Sequence, residues 1–141
     1  MNIQRTIPPA AAPIDFKNIF HGLTGIFNGK RHIEKLKEEV IKYFDIKHVF
    51  LISSGKAAIT LILLALKSLS SKKQVLIPAY TCFSVPSAIV KAGLKVSLCD
   101  LNPSTLDFDY KLLEKAINKD TLCIVPNHLF GMQADMDKIN S

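Results

Sequence analysis

The chain has 141 residues, 48% of them hydrophobic and 21% charged, with a formal net charge of +6. That is long enough for one domain with a real core, and the balance is ordinary for a soluble α/β protein. The basic residues are dispersed: Arg31, Lys35, Lys37 and Lys42 alternate with Glu34, Glu38 and Glu39, and no aromatic-rich basic stripe accompanies them, which argues against nucleic-acid binding.

From the N-terminus, Met1 to Pro13 is broken by Pro8, Pro9 and Pro13 and contains no signal-peptide apolar region. With Gly22, Gly25 and Gly29 following, residues 1–30 read as an N-terminal arm or loop, with a short helix around Phe16 to His21. The run Gly25 to Lys30 is no Walker loop, because its glycine spacing is wrong and Arg31 stands where Ser or Thr is needed. From His32, Ile33, Leu36, Val40 and Tyr43 recur at helical spacing, which predicts an amphipathic helix.

His48 to Ile52 then reads as a strand and Lys56 to Leu69 as a buried helix. The apolar part of that helix, Ala57 to Leu66, is well short of the ~18–20 residues of a membrane span. At the junction, Ser53-Ser54-Gly55 offers two chemistries. It is a cap for the following helix, or a phosphate cradle in which unpaired amides at a helix start meet a glycine that lets an anion approach.

Gln74 to Ile77 is a second strand, ended by Pro78, and Cys82 to Lys91 a helix stopped by Gly93. Leu94 to Cys99 is a third strand, ending at Asp100, which is expected to fix the turn before Pro103. Asp109 is expected to cap a helix that turns Leu112, Leu113, Ala116 and Ile117 inward. Thr121 to Val125 is the fourth strand, and Asp135 opens a last helix. Cys82, Cys99 and Cys123 have no zinc-like spacing, and no metal site is expected; an odd count without a secretion signal suits a reducing cytoplasm.

Strands alternating with helices imply a parallel sheet covered on both faces, an α/β architecture of three layers. Ligands bind such sheets at the carboxyl ends of the strands. The unusual residues gather at those ends: Ser54-Gly55, Tyr80-Thr81, Asp100 and Asn127-His128.

Four segments in order carry a resemblance. Ser54-Gly55-Lys56-Ala57-Ala58 resembles a Ser-Gly-Thr-Ala-Ala loop, and Val75 to Thr81 a strand ending in Pro-x-Phe/Tyr-Thr. Ala92-Gly93-Leu94-Lys95-Val96 through Asp100 and Asn102-Pro103 resembles Gly-Ala-x-Pro-Val…Asp…Asp-Pro; His128-Leu129-Phe130-Gly131 with Ala134-Asp135-Met136 resembles His-Leu-Tyr/Phe-Gly-x-x-Ala-Asp-Met. These are motifs of the sugar-nucleotide aminotransferases of the DegT/DnrJ/StrS family, which use pyridoxal 5'-phosphate (PLP) on the aspartate-aminotransferase fold. The resemblance implies that residues 31–141 form the N-terminal part of the large domain of a fold type I PLP-dependent transferase.

It further implies that the backbone at Ser54, Gly55, Lys56 and Ala57 holds the cofactor phosphate. Lys56 stands where the family has threonine, so a hydroxyl contact is lost; its ammonium either pairs with the phosphate instead or is solvated at the helix start. The ring-stacking aromatic of the family matches Cys82, a departure; Phe83 either supplies the ring from the next position or packs in the core. Tyr80 either faces the substrate or is a packing residue with a satisfied hydroxyl, and His128 either contacts substrate or holds its loop.

The family's Schiff-base lysine and the aspartate on the pyridine nitrogen match no residue here and belong downstream. The chain therefore reads as an N-terminal fragment, itself inactive, with no catalytic residue of its own. The implied whole protein is a cytoplasmic homodimer that transfers an amino group, from glutamate, to a keto-sugar nucleotide for polysaccharide synthesis. It binds neither nucleic acid nor membrane. The rivals are a PLP-dependent sugar dehydratase or another enzyme of the fold, and a degenerate binding or regulatory protein.

Overall fold

The computed structural model describes residues 14–140. The prolines at 8, 9 and 13 and the outer part of the expected arm lie outside the described residues. The chain falls into two compact units, divided between Leu51 and Ile52.

In the first unit, helix α1 spans Phe16–Phe44. Asp15 caps it, its carboxylate accepting the Asn18 N–H at 2.8 Å. The expected short helix near Phe16 extends to the helix from His32, and the two meet at a kink at Asn28. Gly22, Gly25 and Gly29, read as breakers, lie inside it, and only Asn28 leaves helical geometry (φ −121°, ψ 25°). Each glycine costs a helix only about 1 kcal/mol relative to alanine, so Gly22 and Gly25 are tolerated, while the kink falls beside Gly29. The helix ends at Asp45, whose left-handed conformation (φ 50°) returns its N–H to the Ile41 carbonyl.

His48 to Ile52, expected as a strand, is not one. A strand needs a neighbour for its backbone groups, and no described strand pairs with this run. Its apolar side chains stand exposed, Phe50 at 81%.

The second unit holds helix α2 (Gly55–Ser68), strand β1 (Gln74–Pro78), helix α3 (Ser84–Lys91), strand β2 (Lys95–Cys99), helix α4 (Tyr110–Ala116), strand β3 (Thr121–Ile124), a 3-10 turn (Leu129–Gly131) and helix α5 (Met136–Asn140). The strands form a three-stranded sheet in the order β2-β1-β3. Both pairings are parallel, Val75 opposite Val96 and Leu76 opposite Ile124.

Alternation along β1 sorts the core into two layers. Val75 and Ile77 pack with Leu63 of α2, Ile89 of α3, Ala92 and Leu94 on one face. Leu76 packs with Cys99, Phe108 and Leu113 of α4 on the other. This is the expected three-layer α/β arrangement.

Two expectations change in detail. Helix α2 is not buried all round: Leu63 and Thr60 are buried, while Leu61, Ile62 and Leu64 are exposed. A single sheet face covers one stripe of a helix, and the opposite stripe of α2 has no cover within its unit. Likewise α4 buries Leu113 and half-buries Ala116, but Leu112 and Ile117 face out, because an α-helix of two turns presents only one side to the sheet.

Candidate functional site

Because all three strands are parallel, their carboxyl ends share one edge. The Ala79 N–H donates to the Cys99 carbonyl at 2.8 Å, and the Val125 N–H to the Leu76 carbonyl at 2.9 Å. These bonds extend the ladder to the loops that carry Tyr80, Cys82, Phe83, Asn127 and His128. Helix α2 returns along the sheet through the short link 69–73, which brings its N-terminus to the same edge. Ile59, near that end, lines an apolar groove with Cys123, Ile124 and Val125.

Ser54 caps α2, its hydroxyl accepting the Ala57 N–H at 3.2 Å while its carbonyl accepts the Ala58 N–H at 3.0 Å. The Ala57 amide, expected to face a ligand, is therefore engaged by the cap. The amides of Gly55 and Lys56 have no protein acceptor among the described residues. The Ser54 O–H remains a donor, since a hydroxyl can accept and donate at once. A Cβ built on Gly55 would meet nothing within 4 Å, so the space over the helix start is open. Lys56 is exposed, with no ion pair to any described carboxylate. Two free N–H groups, a hydroxyl, an ammonium and the positive end of a 14-residue helix fit an anion such as phosphate.

Beyond β1, Tyr80 is 63% and Phe83 82% exposed. The packing alternatives for both are not realised: neither ring enters either core layer, and the Tyr80 hydroxyl has no partner among the described residues. Cys82 is exposed, and its sulfur accepts a hydrogen bond from the Ser84 hydroxyl at 3.0 Å. That bond, with one from the Ser84 backbone, draws the thiol below its ordinary range.

The Asn127 side-chain amide donates to the Thr81 hydroxyl at 3.2 Å, tying the loop after β3 to the loop after β1. His128 accepts the Ala134 N–H at its Nδ1, 3.0 Å away, and so holds its own loop. An imidazole that accepts at Nδ1 carries its proton on Nε2, which is left as a donor.

Asp100 does not fix the turn before Pro103. Asn102 does, its side-chain oxygen accepting the Ser104 N–H at 2.9 Å and its carbonyl the Leu106 N–H at 2.8 Å. An Asn side chain bonding two residues on forms this turn locally, and Asp100 contributes only its carbonyl, to the Asp109 N–H. Asp135 does open α5, its carboxylate accepting the Lys138 N–H at 3.1 Å.

A cluster that sequence patterns do not mark lies behind His128. Asp107 accepts from the Tyr110 phenol, the Asp135 N–H and the Phe108 N–H. Burial works to raise the Asp107 carboxyl, and the three donors outweigh it, so the group lies below its ordinary value. Burial, then the Asp107 carboxylate, pushes the Tyr110 phenol up to about 12. Asp107 and Asp135 are 28 positions apart, so no local motif joins them. Among the described residues no group of three His, Cys, Asp or Glu could hold a metal ion, and no helix is long and apolar enough to cross a membrane.

Known proteins resemble this chain in sequence and fold. The 3-oxo-glucose-6-phosphate:glutamate aminotransferase of Bacillus subtilis is 33% identical over 116 residues, covering 82% of this chain and 26% of that protein. A Streptococcus pneumoniae protein assigned as a sugar aminotransferase, Spr1654, solved in its PMP form, superposes with a TM-score of 0.70 at 30% identity, over 76% of this chain and 27% of that one. The E. coli GDP-4-keto-6-deoxy-D-mannose-3-dehydratase, solved with hydrated PLP, reaches a TM-score of 0.78 over 96% of this chain and 37% of that one. At 23% identity it speaks for the fold alone. The chain thus spans well under half the length of each of these proteins. Its residues 22–141 match the sequence model of the DegT/DnrJ/EryC1/StrS aminotransferase family, and the chain belongs to that family.

Proposed function

We propose that this chain is the phosphate-binding part of a PLP-dependent aminotransferase. The whole protein moves an amino group from an amino acid, glutamate by preference, to a keto-sugar nucleotide. The observation that carries this reading is the start of α2, where the Gly55 and Lys56 amides are unpaired beneath open space. Relatives at 33% and 30% identity, one of which pairs an oxo-sugar phosphate with glutamate by name, favour amino transfer, while one at 32% is named as a regulatory protein. Dehydration is favoured by a sequence relative at 25% identity, a GDP-4-keto-6-deoxy-D-mannose 3-dehydratase, and by a fold likeness.

When bound, PLP supplies the electron sink for moving an amino group. The chain's own residues bind and orient it. The Ser54 O–H, the Gly55 and Lys56 N–H groups and the Lys56 ammonium hold the phosphate, with Ala57 fixing the Ser54 hydroxyl in place. Cys82 and Phe83 flank the ring, and Tyr80 and the His128 Nε2–H face the sugar substrate. Residues 31–141 belong to the large domain of the protein, and the arm before them, described from residue 14 and helical from Phe16, reaches a partner subunit in a homodimer.

The test is titration of the intact purified protein with PLP and with pyridoxal, followed by the absorbance of the bound coenzyme. PLP binds well and pyridoxal poorly if the α2 start takes the phosphate. Gly55→Asp sets a carboxylate over the same amides and weakens PLP binding by at least about tenfold, the loss of one charge-assisted hydrogen bond. Equal affinity of wild type and Gly55→Asp for PLP would sink the assignment.

A further inference from the structure

We propose that Asp107 is a positioning residue for the His128 side of the proposed coenzyme site, acting through the two adjacent amides that pin the 128–135 loop. The role in the site rests on the coenzyme reading above; the pinning does not. Asp107 lies in the connection between β2 and α4, beside the buried Phe108, so its carboxylate is anchored to the core. One carboxylate oxygen accepts the Phe108 N–H at 2.7 Å. The other accepts the Asp135 N–H at 2.9 Å and the Tyr110 hydroxyl. Tyr110 sits on α4, and its oxygen is also 3.2 Å from the Asp135 nitrogen. One carboxylate therefore joins the sheet connection, α4 and the end of the His128 loop.

That loop is held from within by the Gly131 N–H to the His128 carbonyl at 3.2 Å and the Met132 N–H to the Leu129 carbonyl at 2.9 Å. Its end is tied to the sheet connection through Asp107. Phe130 takes a left-handed conformation (φ 53°) and Gly131 follows at φ 82°. For a residue with a side chain this costs about 1–2 kcal/mol, which the surroundings must offset. Two consecutive amides do so. The Ala134 N–H, on a residue only 3% exposed, goes to His128 Nδ1, and the Asp135 N–H goes to Asp107.

The two bonds are coupled because they leave adjacent peptide units. The Tyr110 oxygen, the second acceptor of the Asp135 N–H, is itself held by Asp107, so removing the carboxylate loosens both acceptors and lets the Ala134 N–H turn away from the imidazole. His128 then loses the acceptor bond that fixes its proton on Nε2. The Asp135 carboxylate cannot stand in, since it is committed to the Lys138 N–H and ammonium. Asp107, which touches no substrate itself, so decides where the exposed His128 presents its donor.

The experiment compares Asp107→Ala and Asp107→Asn with wild type in the intact protein. It uses amide hydrogen exchange together with 15N NMR of the His128 imidazole. Asp107→Ala speeds exchange at Ala134 and Asp135 by about tenfold, the loss of one buried hydrogen bond. It also mixes the His128 tautomers, while exchange across residues 85–94 is unchanged. Asp107→Asn, which keeps a carbonyl oxygen for the Asp135 N–H, restores most of both signals. Unaltered exchange and tautomer in Asp107→Ala would overturn the proposal. So would an equal rise across residues 85–94, which marks general loosening. Neither readout needs a ligand, so failure of the wild-type protein to bind PLP would strike the coenzyme reading alone.

Discussion

Cys82 and Cys99 differ in what surrounds their sulfurs. Cys82 is exposed and receives the Ser84 hydroxyl, which lowers its thiol. Burial raises Cys99, helped by the charges of Asp100 and Asp109, and burial alone raises Cys123. Only thiolate reacts with alkylating agents. Mass spectrometry should therefore find Cys82 modified first, and Ser84→Ala should move its reaction profile to higher pH. At Tyr110 the folded protein holds the phenol proton more tightly than the unfolded chain, with a value of about 12 against 10.0. The stability this contributes is whole below pH 10 and is lost as pH rises toward 12. Urea unfolding across that window should lose stability in wild type and lose less in Tyr110→Phe. Asp107 has the opposite sign: its carboxyl is held down, so its contribution is present at neutral pH and fades as acid protonates the folded state. Asp135 joins this cluster from 28 positions away, so its bond to Asp107 was not legible in the sequence; Asp107 and Tyr110, three positions apart, form no motif that marks them.

At the scale of elements, the helix ends were legible because their chemistry is local. Ser54 caps α2, and Asp109 caps α4 by accepting from the Lys111 and Leu112 amides. Asp109→Ala should cost about 0.5–2 kcal/mol in urea unfolding, the usual value of such a cap. Gly93 closes α3 in a left-handed conformation (φ 67°), as expected. What the sequence did not reveal is its partner. The Lys67 ammonium, from α2, donates to the carbonyls of Ala92 and Gly93 at 3.0 and 3.1 Å. A Cβ at Gly93 would lie 2.8 Å from that nitrogen. Gly93→Ala should thus cost the left-handed penalty of about 1–2 kcal/mol and also dislodge Lys67; Lys67→Met should lose the cap with the backbone unchanged. Helix α1 was misread in part for the converse reason: the chain kinks at Asn28 but stays helical through Gly22 and Gly25. Those two glycines are weak local signals against helix, and a capped, otherwise helix-favouring run overrode them.

At the scale of the molecule, the sheet has three strands, and the outer edges of β2 and β3 meet no further strand among the described residues. Leu61, Ile62 and Leu64 of α2 are exposed as well. Open edges and apolar faces invite pairing with other chains. The 141-residue chain produced alone should therefore show light scattering that rises with concentration, and this should ease when Leu61 and Ile62 are replaced by lysine. By itself the sequence determined the order of helices and strands in the second unit, their caps and stops, and the motifs that mark the family. Each of these depends on residues within a few positions of one another. Only the tertiary structure decided that 48–52 stays unpaired, that one face of α2 lies bare, and that Asn102 rather than Asp100 makes its turn. It alone revealed Asp107 as the hold on the His128 loop. Pairing, burial and shared acceptors are set by neighbours distant in sequence, and no local pattern records which neighbours those will be.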